Sequence, residues 1–130
     1  MPATLLTLAA SFVLCTSAPR VTCVVDGDTF WLNGEKIRIA DINAPETGHA
    51  KCLREAALGK QAKLRLLALL NRGRFELATG KRDRDRYGRL LRVVQRNGRS
   101  IGAALVAEGL AEPWCGKRSD WCTSMAPKAG

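Results

Sequence analysis

The sequence predicts an α+β domain that is mainly β: a five-stranded barrel of OB type, with a helix between strands three and four and a second short helix. Three observations support this expectation. Three short β-rich segments are joined by turn residues, one long helical pattern follows them, and two more β-rich segments come after it. At 130 residues the chain is large enough for one domain with its own hydrophobic core.

The first three strands are predicted at residues 21–25, 29–32 and 36–39. Asp26-Gly27-Asp28 joins the first pair, and Asn33-Gly34 joins the second. Asn-Gly is a strong signal for a two-residue hairpin turn. We therefore expect these strands to form an antiparallel meander.

One amphipathic helix is predicted over residues 52–70, where leucine and alanine recur at helical spacing. Asn71 and Gly73 follow this pattern and are residues that end helices. The helix therefore lies between the third and fourth strands.

The fourth and fifth strands are predicted at residues 75–78 and 90–95, with a basic loop at residues 81–88 between them. Ser100 can cap a short helix that Gly109 would end. This order of elements is that of an OB-type barrel, whose open face commonly binds oligonucleotides.

The N terminus resembles a secretory signal. An apolar run begins at Leu5 and is followed by the small residues Thr16-Ser17-Ala18, which predicts a signal peptide cleaved after Ala18. The run is too short to span a bilayer, so we expect a secreted or periplasmic protein with no stable membrane span. The predicted divisions are a signal peptide at residues 1–18, a domain at residues 19–114 and a cysteine-containing tail at residues 115–130.

The chain is strongly basic, with a formal net charge of +9. Every charged residue lies at or beyond Arg20, so the domain keeps the whole charge after export. The excess is concentrated between Lys81 and Arg99 and is mostly arginine, which suits bidentate contact with phosphate. We expect a monomer that binds a polyanionic partner. A solvated face, or binding to anionic lipid or acidic polysaccharide, would explain the same positive charge.

Removal of the signal would leave four cysteines, namely Cys23, Cys52, Cys115 and Cys122. An even number in an exported protein favours disulfides, with three possible pairings. Zinc is the alternative, but the sequence has no Cys-x-x-Cys pair and His49 is its only histidine.

The segment from Arg38 to Glu46 combines a cation and a carboxylate near a strand end. Pro45 fixes the direction of the chain, so the backbone orients Glu46. Such a pair could hold an anion and supply a base in one cleft. The alternative is an ordinary strand followed by a helix N terminus, where a glutamate is favourable.

Two further motifs carry charged groups. Asp26-Gly27-Asp28-Thr29 places two carboxylates at a turn, which a simple hairpin would also explain. An EF-hand is excluded because Trp31 stands where that loop requires glycine. Asp85-Arg86-Tyr87-Gly88-Arg89 closes the basic loop, and its Gly-Arg step can place one guanidinium at a strand start.

Together and in this order, Asp-Gly-Asp-Thr, Arg-x4-Asn-Ala-Pro-Glu and Asp-Arg-Tyr-Gly-Arg resemble the motifs of the thermonuclease family typified by staphylococcal nuclease. The match covers residues 21–114. The resemblance implies a calcium-dependent endonuclease on an OB barrel that cuts DNA and RNA to leave 3′-phosphate ends.

The resemblance also implies roles for individual residues. Glu46 matches the general base that activates the attacking water, and Arg38 and Arg89 match two arginines that stabilise the phosphorane. The other implied residues are Asp28, Asn43 and the backbone carbonyl of Ala44 as calcium ligands, Asp26 close to the metal without touching it, and Tyr87 as a substrate contact. Arg86 and Arg84 of the same basic segment are further predicted substrate contacts.

The chain departs from the family pattern in two places. Asn43 stands where the family has an aspartate, which removes one negative charge and predicts weakened calcium binding. The family's C-terminal helix is replaced by the cysteine-bearing tail. A Cys52–Cys122 disulfide would compensate by tying that tail to the first helix.

A catalytically impaired OB-type nucleic-acid-binding protein is the rival interpretation, and Asn43 favours it. The presence of Glu46 opposes it, because a carboxylate repels phosphate and a binding protein has little need of one. A basic surface-binding protein would explain the charge but not the carboxylates.

Overall fold

The computed structural model describes residues 5–8, 11–17 and 19–123. These residues form an α+β fold that is mainly β, as predicted. The strands are β1 (Leu5–Leu8), β2 (Val13–Leu14), β3 (Cys23–Asp26), β4 (Thr29–Leu32), β5 (Glu35–Ile39), β6 (Ile42–Asn43), β7 (Phe75–Arg84), β8 (Leu90–Arg96), β9 (Arg99–Ser100) and β10 (Glu112–Pro113). The helices are α1 (Leu53–Leu70) and α2 (Ile101–Ala107).

The five predicted strands are β3, β4, β5, β7 and β8, and α1 lies between the third and fourth of them as expected. The main sheet has the order β1-β7-β8-β5-β4-β3-β2, with β9 beside β8, while β6 and β10 pair separately. β5 and β8 run parallel, and the other contacts among the five are antiparallel. In the described part of the chain the sheet stays open, so the arrangement is OB-like without a closed ring of strands.

The turn between β4 and β5 has the predicted Asn-Gly geometry. Asn33 and Gly34 have φ angles of 51° and 83°, the left-handed values that such a turn requires. Asn97 and Gly98 repeat this geometry between β8 and β9, with φ angles of 55° and 75°. The second turn carries the same sequence signal, but β9 is too short to show any periodicity of its own.

The basic loop is shorter than predicted because β7 continues to Arg84 and pairs again with β8 at Leu90. The register shifts between Thr79 and Arg84. The last five residues of β7 are exposed, so no alternation of apolar side chains marks them as a strand.

Three phenylalanines meet between the sheet and α1. The rings of Phe12, Phe30 and Phe75 lie 5.7 to 6.4 Å apart between centroids, and Leu66 and Leu70 of α1 belong to the same core. Each fully buried ring stabilises the fold by roughly 1.5–3 kcal/mol. This core supports α1 against the loops that carry the charged motifs.

Residues 12–15 belong to this fold, although the predicted signal peptide includes them. Phe12 is buried, and its N–H and carbonyl both bond the side chain of Asn71, at 2.7 and 3.0 Å. Cys15 forms a disulfide with Cys23. The proposed cleavage position, Ala18, lies outside the described residues, as do residues 1–4 and 9–10. No helix in the described part of the chain has the length and apolar character to cross a membrane.

The disulfide between Cys52 and Cys122 is present. Cys52 is the N-cap of α1, and its Sγ accepts a hydrogen bond from the N–H of Glu55 at 3.4 Å. Cys115 is exposed and free. The tail is thus tied to α1 at Cys122, and residues 124–130 lie beyond the described part.

Candidate active site

A cavity of about 950 Å³ opens between the β3–β4 turn, the segment after β6 and the loop before β8. All three sequence motifs contribute to it. The predicted site residues that line it are Asp26, Asp28, Arg38, Ala44, Glu46, Tyr87 and Arg89. The structure therefore brings the implied catalytic residues and most of the implied metal ligands into one space.

Arg38 lies at the end of β5 and is only 7% exposed. Its Nη1 donates to the carbonyl oxygens of Ile39 and Ile42 at 2.6 and 2.8 Å, and Nη2 lies 3.6 Å from Oδ2 of Asp28. Burial lowers the pKa of Arg38 and the charge of Asp28 opposes this. Arginine is not deprotonated in proteins, so the group stays charged. The backbone turn after β5 therefore fixes this guanidinium before any substrate binds.

Two aspartates form the acidic side of the cavity. Asp28 accepts hydrogen bonds from the N–H of Ala44 at 2.8 Å and the hydroxyl of Thr29 at 2.9 Å. Asp26 accepts from the N–H and hydroxyl of Thr47, at 3.2 and 2.7 Å. These bonds tie the β3–β4 turn to the segment that carries the remaining site residues.

The acidic side is suited to a hard cation. The pKa of Asp26 is raised above its ordinary value, chiefly by burial and also by the charges of Asp28 and Glu46. The hydrogen bonds from Thr47 lower it only in part. Asp28 and Glu46 thus both repel the charge of Asp26, and oxygen-coordinated calcium would relieve this repulsion. No group of three or more His, Cys, Asp or Glu side chains within the described ranges could hold a metal ion by itself, so a site here would also need amide or backbone oxygens.

Glu46 is positioned by α1. Its N–H donates to Oε2 of Glu55 at 3.1 Å, while Oε1 of Glu55 accepts from the N–H of Lys51 at 3.0 Å. Gly59 lies so close that an added Cβ would be 2.6 Å from the carbonyl oxygen of Glu46. The Glu46 side chain is 25% exposed, and its Oε2 accepts a 2.6 Å bond from Arg118. A rigid backbone therefore presents a carboxylate to the cavity.

Arg89 is held by Asp85, four residues earlier. Its Nε donates to Oδ2 of Asp85 at 2.7 Å, and Oδ1 accepts from the N–H groups of Tyr87 and Arg89 at 2.9 and 3.0 Å. Burial raises the pKa of Asp85, but the bonds from Arg89 and Tyr87 outweigh it and lower the pKa below its ordinary value. Asp85 therefore remains a charged anchor for Arg89.

Asn43 is 1% exposed and is not among the residues that line the cavity. Its Nδ2 donates to Oε2 of Glu112 at 2.9 Å, and its Oδ1 accepts from Nη2 of Arg38 at 3.5 Å. Asp41 faces α2, where it accepts from the hydroxyl of Ser100 at 2.6 Å. In this arrangement Asn43 supports Arg38 and the pairing of β6 with β10.

The predicted substrate contacts separate into two groups. Tyr87 and Arg86 line a neighbouring cavity of about 630 Å³ together with Trp114, and Nη2 of Arg86 donates to the Tyr87 hydroxyl at 2.8 Å. Arg84 lines neither cavity. Its Nη1 pairs with Glu35 at 3.0 Å, which leaves Arg84 beside the site and not within it.

Four residues near the site were not identified from the sequence. A glutamate three residues after a helix cap is a capping signal that could have indicated Glu55. Asp85 lies within a recognised motif, but its contact with Arg89 is visible only in three dimensions. Arg118 and Glu112 have no local signal, because their partners Glu46 and Asn43 are 72 and 69 residues away in sequence.

Comparison with known proteins identifies relatives of this chain. Residues 36–123 match the family model described as staphylococcal nuclease homologue. The chain is 39% identical over 93 residues to "Endonuclease YncB" of Bacillus subtilis (strain 168), covering 67% of this chain and 43% of the relative. It is 35% identical over 129 residues to "Micrococcal nuclease" of Shigella flexneri, covering 84% of this chain and 69% of the relative.

A third relative, "SPbeta prophage-derived endonuclease YokF" of Bacillus subtilis (strain 168), is 39% identical over 93 residues. The chain spans less than half the length of either Bacillus relative described here. The family model nevertheless covers most of the chain and includes Arg38, Glu46 and Arg89. The chain therefore belongs to the staphylococcal nuclease homologue family.

Proposed function

We propose that this protein is an endonuclease that hydrolyses phosphodiester bonds of DNA and RNA and leaves 3′-phosphate ends. The observation that carries the proposal is the convergence of Glu46, Arg38 and Arg89 on one cavity that also has an acidic side. Two guanidiniums beside one carboxylate suit the attack of water on a negatively charged phosphate.

In the proposed mechanism a phosphodiester lies between Arg38 and Arg89. Glu46 accepts a proton from water as the water oxygen bonds to phosphorus. The bond from phosphorus to the 5′ oxygen then breaks, and this oxygen takes a proton from solvent to leave as a hydroxyl. A general base contributes about 10²–10⁴ in rate. The two fixed guanidiniums stabilise the charge that develops on the phosphoryl oxygens, in the manner of an oxyanion site.

Calcium is the proposed cofactor, and Asp28 and the backbone carbonyl of Ala44 are the residues that would hold it, with Asp26 nearby. When bound, the ion supplies positive charge next to the phosphate. Asn43 contributes no negative charge and is bonded to Glu112, which supports the expectation of weak calcium affinity.

A nucleic-acid-binding protein with impaired catalysis is the second candidate. The orientation of Asn43 favours it, because that side chain is directed to Glu112 and Arg38 and does not line the cavity. The net charge of +9 serves either function.

A cleavage assay separates these candidates. Oxidised protein is incubated with single-stranded DNA or RNA, with calcium or with a chelator, and the product ends are analysed. We expect calcium-dependent cleavage with 3′-phosphate ends that Glu46→Gln reduces at least about 100-fold. Glu35→Gln is the matched control, because Glu35 lines neither cavity and pairs with Arg84. Retention of nucleic acid without cleavage would instead establish the binding protein. If the protein neither cleaves nor retains nucleic acid, the basic surface-binding interpretation remains.

We further propose that the protein functions outside the cytoplasm, in a secreted or periplasmic location. Its Cys52–Cys122 disulfide, which does not depend on cleavage after Ala18, favours an oxidising compartment. Fractionation of the source cells, with mass determination of the N-terminal peptide, tests both the location and the signal peptide.

A further inference from the structure

The segment from Trp114 to Cys122, here called the strap, crosses the proposed active site. It leaves β10, where the N–H of Trp114 donates to the carbonyl of Asp41 at 3.0 Å. It ends at the Cys52–Cys122 disulfide on the N-cap of α1. The strap is therefore fixed at both ends, and its residues Arg118, Ser119, Asp120 and Trp121 line the 950 Å³ cavity.

The middle of the strap is fixed by Glu112. The N–H of Ser119 donates to Oε2 of Glu112 at 2.9 Å, and the Ser119 hydroxyl donates to Oε1. The same carboxylate accepts the bond from Asn43. Strap and site residues thus share one partly buried carboxylate, Glu112, which sets the position of Arg118, the residue before Ser119.

Arg118 lines both cavities, as Arg38, Arg89 and Tyr87 do. Its Nη1 lies 2.6 Å from Oε2 of Glu46, while its side chain remains 55% exposed. Three guanidiniums therefore line the same space, and Arg118 has the most exposed side chain of the three.

Building on the proposed nuclease function, we propose that Arg118 is a further phosphate-binding residue that the disulfide-anchored strap delivers to the site. In the free protein it rests on Glu46. When a phosphodiester enters, its nonbridging oxygens offer Arg118 a bidentate partner. Transfer of Arg118 to the phosphate releases Oε2 of Glu46, so that both carboxylate oxygens are available to the attacking water.

The Cys52–Cys122 disulfide determines whether this contact can form. Without it, the far end of the strap is released from α1, and holding Arg118 over the cavity would cost conformational entropy. The inference is thus that the affinity of the site for nucleic acid is higher when Cys52 and Cys122 are joined than when they are reduced to thiols.

Binding without cleavage tests the role of Arg118. In a Glu46→Gln background we would measure the affinity for single-stranded DNA at several salt concentrations. Arg118→Gln should weaken binding about tenfold and reduce the salt slope by about 0.7, the value for one phosphate contact on a single strand. Arg118→Lys should recover part of the affinity. Lys117→Gln, which removes the adjacent exposed charge, should change binding much less.

Unchanged affinity in Arg118→Gln would overturn the proposal, since a residue that only positions Glu46 does not affect binding in this background. An equal loss in Lys117→Gln would also overturn it, by showing that only net charge matters. Because cleavage is not measured, these results are independent of whether the protein is a nuclease.

The strap is tested with the double variant Cys52→Ser and Cys122→Ser. Binding should weaken as in Arg118→Gln, and adding Arg118→Gln should cause little further loss. A full additional loss would refute the role of the disulfide.

If the double variant does not fold, Ser119→Ala tests the strap instead, because it loosens the strap at Glu112 and leaves the disulfide intact. It should weaken binding in the same direction, and unchanged affinity would refute the strap.

Discussion

The two halves of the site differ in how they hold their arginines. Arg38, on the β5–β6 side, is 7% exposed and bonded to two backbone carbonyls. On the side of the β7–β8 loop, Arg89 is held by one side chain, Asp85, and its neighbour Tyr87 is 69% exposed. The first half is built into the core, and the second lies on an exposed hairpin.

This difference indicates a division of work. A guanidinium fixed by the backbone loses no conformational freedom when charge develops beside it, which is the requirement for transition-state stabilisation. An exposed loop with aromatic and basic side chains can adapt to different nucleotides, which suits an enzyme that is not selective for sequence. We therefore expect substitutions in the two halves to have different effects on stability.

The largest expected effect comes from replacing the arginines one at a time. Arg38→Lys and Arg89→Lys should each lower kcat about 10²–10³-fold, as loss of an oxyanion contact does. Only Arg38→Lys should also destabilise the fold, by roughly 1–3 kcal/mol, because it leaves buried carbonyls without a donor. Single-turnover cleavage and thermal unfolding measure the two quantities. Equal unfolding temperatures for the two variants would contradict the comparison.

Gly59→Ala tests the rigid half through its backbone. The added Cβ would lie 2.6 Å from the carbonyl oxygen of Glu46 and 3.0 Å from that of Pro45. We expect a loss of about 1–3 kcal/mol in the free energy of unfolding, together with a lower kcat and little change in KM. Gly80→Ala on β7 is the control, because an added Cβ there meets nothing within 4 Å. Similar losses in both variants would show that the contact with Glu46 is not the cause.

Asn43 stands where the family has an aspartate, and Glu112 holds its side chain, so calcium dependence is tested with both residues. Asn43→Asp alone would place a carboxylate against Glu112 and should destabilise the protein. Combined with Glu112→Gln, it should lower the calcium concentration for half-maximal cleavage about tenfold, since affinity rises with ligand charge. Glu112→Gln alone is the reference. No change in the calcium requirement would refute the role of Asn43 in metal affinity.

The smallest expected effect belongs to the exposed half. Asp85→Asn should lower cleavage about fivefold, because a partly exposed ion pair is worth at most about 1 kcal/mol. The pKa of Asp85 lies below its ordinary value, so the pair's contribution to stability is present above about pH 4, the unfolded value, and is lost as the pH falls through the folded pKa. Unfolding scans of the parent protein and of Asp85→Asn at pH 3 and pH 6 check this.

Much of the fold was predictable because its signals are local. Asn33-Gly34 and the helix ending at Asn71 depend on residues within one turn of each other, and their positions were predicted almost to the residue. The extension of β7 to Arg84 was not predictable from periodicity, because its final residues are exposed on both faces.

The site was predictable to the extent that its residues lie in recognisable motifs. The orientation of Asn43 towards Glu112 could not be read from the sequence, because it depends on the pairing of β6 with β10. Arg118 was missed for a related reason. Its contact with Glu46 depends on where the strap crosses the cavity, and the expected Cys52–Cys122 disulfide did not specify which strap side chain would face the base.

The Cys15–Cys23 disulfide makes the fate of the N terminus measurable. In the whole chain Cys15 and Cys23 are joined and Cys115 is free, which leaves one thiol. A chain cleaved after Ala18 loses Cys15, so Cys23 becomes a free thiol in addition to Cys115. Titration of thiols in denaturant, without reductant, therefore distinguishes the two forms: one per molecule for the whole chain, and two for the cleaved chain if no new bridge joins them.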